Sequence, residues 1–420
     1  MNPLAAVRDA AWLTADRARA YGRLLSVALA VSAVWIMAAR FQYTGAGQRP
    51  VDDFLTFMAA GDMMRHGQAE AAYHMDAFTA ALSHYAVMGT GRLPFLYPPI
   101  MLVVCGWIAN LPETLAYVVF ESVTLIPLLV CLYDLLPKRW AILPIVAAPA
   151  VLMNFGSGQT GFFPAAAYAM AAVLMEKRPA LAGAALGLLL FKPHFALLVP
   201  LALACAGQWR AFIACGATAA ALALASLAFL PVQVWVSFFS QQGLARTMLE
   251  HGTNILLSVD PVGALRAAGA PLTAAYSVQA VFSLAVLGLV VTAALKRPGG
   301  TALIAIMAAG SLLFTPYAMD YDLGVALVPV AWMAACAGKN GWRPWEKIVA
   351  LLIYLLPLYA RVAVIFTGIQ PAPLVLLAFA VLVWRRAVDQ GLAGIGSGGM
   401  SWQAPWRLTT QTAPKQRSAA

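Results

Sequence analysis

Charge is what this sequence has least of: Asp, Glu, Lys and Arg make up only 10% of its 420 residues. A soluble chain carries roughly 25%, so a water-facing globule is excluded, and a hydrophobic content of 62% points to a polytopic membrane protein. Cysteine is nearly as sparse. The five (Cys105, Cys131, Cys205, Cys215 and Cys336) stand in apolar segments at no ligand-like spacing, so they read as small core residues rather than a disulfide framework or a metal site. No Gly-rich loop ends in Lys-Ser/Thr, which argues against a reaction driven by a cytoplasmic nucleotide. There is no internal repeat, no separate soluble domain and no trustworthy cleavage site after Arg17, Arg19 and Arg23, so the first helix is expected to be retained. The net charge of +10 does not suggest nucleic acid. In a membrane protein an excess of Lys and Arg reports which loops stay in the cytoplasm.

At ~20 residues per crossing, the length suits an all-α bundle of about twelve transmembrane helices. They are expected near 22–40, 115–136, 140–153, 160–175, 179–191, 194–206, 210–230, 275–295, 301–315, 320–337, 346–367 and 371–386. The apolar run 96–110 is too short to cross and reads as re-entrant or interfacial. If it does not span, Lys138-Arg139, Lys177-Arg178, Arg210, Lys296-Arg297, Lys339, Arg343, Lys347 and Arg385-Arg386 all fall on the cytoplasmic side. Both termini then lie in the cytoplasm, in a bacterial inner membrane. The two long polar connections, 41–96 and 231–274, face the periplasm. Within the first, 53–65 and 76–89 look helical and apolar enough to lie on the membrane surface. Residues 1–387 read as one transmembrane domain, and 388–420, rich in Gly, Ser, Gln and Thr, as a disordered cytoplasmic tail.

That topology brings four polar clusters to one face. Asp52-Asp53 opens a helical pattern in the first connection, where an acid also serves simply as a helix cap. Asn154 to Gly161, containing Gln159, is a Gly-rich break between spans, equally readable as a flexible turn. Lys192 and His194 flank Pro193 between two very apolar segments, where a lysine either snorkels or meets an anion. Thr315 to Asp322 carries Tyr317, Asp320, Tyr321 and Asp322 at the mouth of a span, a pattern that an aromatic belt and a cap also produce. Arg361, near the outer end of the eleventh span, is placed to pair with one of these acids or to bind an anion.

Carboxylates, amides, tyrosines and isolated cations facing the outer leaflet suit a lipid-phosphate sugar. Its tail would lie between helices and its headgroup at this surface. A carboxylate would act as general base on an acceptor hydroxyl, and the cations would stabilise the departing phosphate. Two other classes fit less fully: a transporter or flippase of lipid-linked saccharides, and an assembly protein whose loops bind a partner.

At these residues the chain resembles glycosyltransferase family 87, of the GT-C class, which contains polyprenol-phosphate-mannose-dependent mannosyltransferases. The resemblance runs from roughly residue 50 to 325. It rests on Asp53-Phe54 followed by Ala59-Ala60, a small-residue turn before Tyr73, Tyr97-Pro98-Pro99, Gly158-Gln159, Ala182-Gly183 through Gly187 to Lys192-Pro193, and Pro316-Tyr317 through Asp322. It implies a metal-independent, cofactor-free, inverting transfer of a hexose, mannose by the family's example. The donor would be a polyprenyl-phosphate sugar and the acceptor a lipid or glycan. Asp53 would be the base with Asp52 as helper or alternative; Lys192, His194 and Arg361 would meet the donor phosphate. Gln159, Tyr97, Tyr317, Asp320 and Asp322 would hold sugar or acceptor hydroxyls. Phe57-Met58 stands where tyrosines are expected, and Tyr317 and Tyr321 where relatives often have Trp or His, departures that bear on sugar and acceptor choice.

Overall fold

The computed structural model describes residues 3–43, 52–86, 93–136, 138–251 and 253–396. Val51, the remainder of 44–51, residues 87–92 of the first polar connection and the tail beyond 396 lie outside the described residues. Among those described, regular structure is helical, and the one strand-like element is an isolated antiparallel bridge between Ser258 and Met319. The chain is therefore an all-α, polytopic membrane protein.

Among the described residues, six helices are long and apolar enough to cross a bilayer: Ala15–Ala39, Glu113–Leu135, Trp209–Phe229, Leu272–Leu295, Asp320–Asn340 and Glu346–Thr367. A seventh crossing arises if Arg139–Val146 and Pro149–Ser157, bent by 47°, count as one. Pro149 explains that bend, because it has no N–H to donate and holds Ala148 in extended backbone (φ −63°, ψ 134°). The other apolar segments are short. Phe162–Leu174, Pro179–Phe191, Pro193–Cys205 and Gly300–Phe314 run 10–17 residues each, about 20 Å at 1.5 Å per residue against a core of ~30 Å. Pro99–Ile108, with 10 residues, is shorter still. The final helix, Ala372–Gly396, continues well past 388.

Small residues set one close helix contact. Gly183 and Gly187 are four apart, and a Cβ on Gly183 would strike the Ala211 backbone, while one on Gly187 would come 2.6 Å from the Cys215 carbonyl oxygen and the Thr218 Cβ. A small-xxx-small stripe of this kind is how membrane helices approach closely. The contacts pair 183 with 211 and 187 with 215, so these two helices run parallel. Pro193–Cys205 must then return in the opposite direction, and Lys192-Pro193 lies at the turn between opposed short helices.

The first polar connection departs from expectation. Asp53–Arg65 was expected to rest one apolar face on the membrane surface, yet Phe54 through Gly61 and Met63 are all buried by protein. A helix apolar on every side belongs inside. It lies against Pro99–Ile108 so closely that a Cβ on Gly61 would overlap the Cys105 carbonyl and one on Gly106 would sit 2.6 Å from the Met64 sulfur. Phe54 meets Tyr117 edge-on at 5.2 Å, and Phe57 meets Tyr97 and Phe120, each at 5.1 Å. The second helix of this connection is Met75–Leu82, shorter than the expected 76–89, with Phe78 and Leu82 buried.

The 231–274 connection closes over the first. Gln241 donates to the Phe95 carbonyl (2.6 Å) and Ser237 to Glu70 (3.1 Å). Further on, Val259 N–H donates to the Ala318 carbonyl (3.0 Å) and Asp320 N–H to the Leu257 carbonyl (2.9 Å). Both long polar connections therefore sit at one end of the bundle, and the backbone around Asp320 is fixed by the second of them.

Candidate active site

The adjacent acids divide their work. Asp52 is in extended backbone (φ −113°, ψ 163°) and its side chain accepts from Leu55 N–H at 3.1 Å, so it is the helix N-cap. Asp53 is the first helical residue; its half-buried carboxylate lies within electrostatic reach of Gln159, Asp320 and Lys192. Burial raises its pKa from 3.8 to about 6, Gln159 opposes that rise, Asp52 and Asp320 add to it, and Lys192 draws it back.

Gln159 is placed by the break between Pro149–Ser157 and Phe162–Leu174. Gly158 ends the first helix at φ +67°, the left-handed region that glycine enters at least cost. Asn154, fully buried, accepts from Gly161 N–H at 2.7 Å and donates to Glu121 at 3.3 Å, clasping both ends of the break. A side chain on Gly161 would overlap the Tyr321 carbonyl, so the break packs directly on the 320–326 turn. Gln159 Oε1 accepts from the Tyr97 hydroxyl (2.7 Å) and from Thr160 N–H (3.2 Å). Burial above all pushes the Tyr97 hydroxyl up, which keeps it a donor at neutral pH.

Lys192 is 6% exposed and forms an ion pair with Asp322, which is fully buried; its ammonium also lies 4.8 Å from the centre of the Tyr321 ring. Asp322 takes a further hydrogen bond from Met319 N–H at 3.2 Å. Asp320 pairs with Arg361 through one carboxylate oxygen, at 2.6 and 3.1 Å. Its other oxygen, Oδ1, is buried without a hydrogen-bond partner among the described residues. A charged oxygen left so is costly and suits a site that awaits a ligand's hydroxyl.

Of the ten residues singled out from sequence, Asp53, Tyr97, Gln159, Lys192, Asp320 and Asp322 form one cluster, and Arg361 joins it through Asp320. Asp52 stands beside it as the cap. His194 and Tyr317 lie further out, with ring centres 6.1 Å apart. His194 Nε2 is buried without a hydrogen-bond partner among the described residues, and the Tyr317 hydroxyl feels Arg246, Glu250 and Asp260 of the second connection rather than the cluster. Lys192 is paired with Asp322, and Arg361 with Asp320, one of the two outcomes the sequence left open for it. The ammonium still has two protons to give and the guanidinium several N–H donors. Sequence reasoning left out the Thr160 hydroxyl beside Tyr97 and the Glu121–Asn154 clasp. Glu121 was visible as an acid in the middle of a long apolar run, which is by default a functional signal.

A polytopic helical protein whose carboxylates, amide and paired cations meet at one end of the bundle has the makings of a membrane-embedded transferase. The family model of glycosyltransferase family 87 matches residues 95–318, more than half of the chain. The chain belongs to that family and is a glycosyltransferase. The matched stretch contains Tyr97, Gln159, Lys192, His194 and Tyr317, while Asp53, Asp320, Asp322 and Arg361 flank it. No curated protein and no solved structure matches the chain.

Proposed function

We propose that this glycosyltransferase moves a hexose, mannose first among candidates, from a polyprenyl-phosphate donor to a lipid or glycan acceptor, inverting the anomeric carbon. Asp53 is the general base. It takes the proton of the acceptor hydroxyl as that oxygen bonds to the anomeric carbon and the bond to the phosphate oxygen breaks. The leaving group departs as a lipid phosphate. Negative charge grows on that phosphate, and the spare N–H donors of Lys192 and Arg361, with His194 nearby, stabilise it. Asp320 Oδ1 and Asp322 orient hydroxyls. The reaction uses no metal and no cofactor.

The single observation that carries this reading is a half-buried carboxylate, Asp53, within electrostatic reach of Gln159, of two acids and of a buried lysine. A pKa near 6 leaves it ionised at neutral pH and still basic enough to accept a proton in the transition state. The one-sided distribution of Lys and Arg supports a bacterial inner-membrane location with cytoplasmic termini and a periplasmic site.

The test is reconstitution. Purified protein is mixed with polyprenyl-phosphate-linked radiolabelled mannose and a membrane lipid extract, and the products are separated. Label in a new lipid or glycan supports the reading. Donor that becomes protected across a vesicle membrane with no new product identifies a transporter, and overturns it.

A further inference from the structure

We propose that Val232–Ser240 is a membrane-seated helix: the face formed by Val232, Val236 and Phe239 lies among the acyl chains of the leaflet on the side of the site, and the opposite face holds the first polar connection. The occupant of the exposed face is lipid, and the inference stands apart from which sugar or donor the enzyme uses.

The chain lays this helix across the end of a crossing. Trp209–Phe229 has 21 residues, about 30 Å at 1.5 Å per residue, which is the thickness of the hydrocarbon core. Phe229 therefore marks the membrane boundary. Leu230 (φ −132°, ψ 137°) and Pro231 (φ −64°, ψ 153°) are both extended, so the next helix starts in a new direction. The Trp235 indole N–H then donates to the buried Ser226 hydroxyl at 2.9 Å, hooking that helix back against the last turn of the crossing.

Around the helix axis the side chains divide into three sectors. Val232, Val236 and Phe239 share one stripe and are exposed among the described residues. Gln233 and Ser240, exposed as well, form a polar strip along one flank of that stripe. Val234, Ser237 and Phe238 are buried on the far side. Apolar, polar and buried strips side by side fit a helix that touches lipid, water and protein at once. The apolar strip also continues the surface of the crossing, because exposed Phe229 meets exposed Trp107 edge-on at 6.2 Å, and indoles favour the membrane boundary. No Lys, Arg, Asp or Glu occurs from 229 to 245, so the seat is apolar contact rather than attraction to anionic headgroups.

The buried face reaches toward the site. Besides the Ser237 and Gln241 hydrogen bonds to the first connection, Phe238 meets Tyr73 at 5.9 Å, and the Tyr73 hydroxyl donates to the Tyr97 carbonyl at 2.9 Å. The helix that lies on the membrane is thus in the second connection, and it braces the first.

Single cysteines test this. Val232→Cys, Val236→Cys and Phe239→Cys are compared with Gln233→Cys and Ser240→Cys, each labelled with an environment-sensitive fluorophore in the full chain in phosphatidylcholine vesicles. Wild type carried through the same labelling gives the background from its own five cysteines. Probes on the apolar strip should show blue-shifted emission that acyl-brominated lipid quenches and iodide, present on both sides of the membrane, does not. Probes on the polar strip should show the reverse order. The pattern should persist when phosphatidylglycerol replaces part of the lipid and when salt is raised, because no charge takes part. Should one variant not fold, the others of its strip carry the comparison. Iodide quenching on the 232–236–239 strip puts the helix in water and overturns the proposal. Disulfide-linked dimers of unlabelled Val236→Cys, with quenching by neither agent, give the face to a second copy and equally overturn it.

Discussion

Lys192 and Asp322, 130 positions apart, form an ion pair in which the lysine is 6% exposed and the acid not at all. Removing one partner leaves the other charge buried and uncompensated, at a cost of about 3–5 kcal/mol. Lys192→Met and Asp322→Leu should each lower the thermal unfolding temperature in detergent. The double variant should recover most of the loss, since a pair replaced by apolar groups of similar size is close to neutral. Two additive losses would show that the pair is not formed.

The raised Asp53 carboxyl predicts two opposite pH trends. A base must be ionised, so transfer should rise with pH through a midpoint near 6. Stability runs the other way. A carboxyl whose folded value lies above its unfolded 3.8 favours the protonated fold, so its stabilisation is complete below about pH 4 and is lost as pH rises through about 6. Asp53→Asn, neutral throughout, should unfold at a higher temperature than wild type at pH 8 and at the same temperature near pH 4. Melting curves of the two proteins across that range check the sign.

Gly183 tests the parallel contact that puts Lys192 at a turn. A Cβ there meets the Ala211 backbone, which cannot rotate away as a side chain would. Overpacking of this kind typically costs 1–3 kcal/mol. Gly183→Val should lower the unfolding temperature clearly, whereas Gly216→Val, where nothing lies within 4 Å, should not.

If the cations of the protein meet the departing phosphate, no divalent ion is needed. Transfer should survive exhaustive treatment with EDTA and gain nothing from added magnesium or manganese. Turnover measured before and after chelation decides this, and a loss restored by metal would contradict the proposed chemistry.

Much of the site could be read from local sequence because its parts are marked locally. Asp52 precedes an apolar helical pattern, Lys192-Pro193 interrupts two apolar runs, and Gly158 breaks a third. Each signal names a residue but not its partner. That Lys192 meets Asp322, or that Tyr97 meets Gln159, depends on how distant helices pack, and a single sequence carries no record of it. The number of crossings is hard to read for a related reason: hydropathy marks apolar segments equally well whether they cross lipid or lie inside the protein. For Asp53–Arg65 the sign was present, since its residues are apolar around nearly the whole circumference, as a protein-enclosed helix requires. Pairing also hides the state of Lys192, whose partner Asp322 lies 130 positions away in sequence.

The most direct test of the central claim is Asp53→Asn. The change keeps the side chain's size and removes only its basicity, and Asp52, which caps the helix, is untouched. With purified variant and labelled polyprenyl-phosphate mannose, the turnover number should fall by ~10²–10⁴, while donor binding and the unfolding temperature at neutral pH do not decline. Transfer at the wild-type rate would contradict the account.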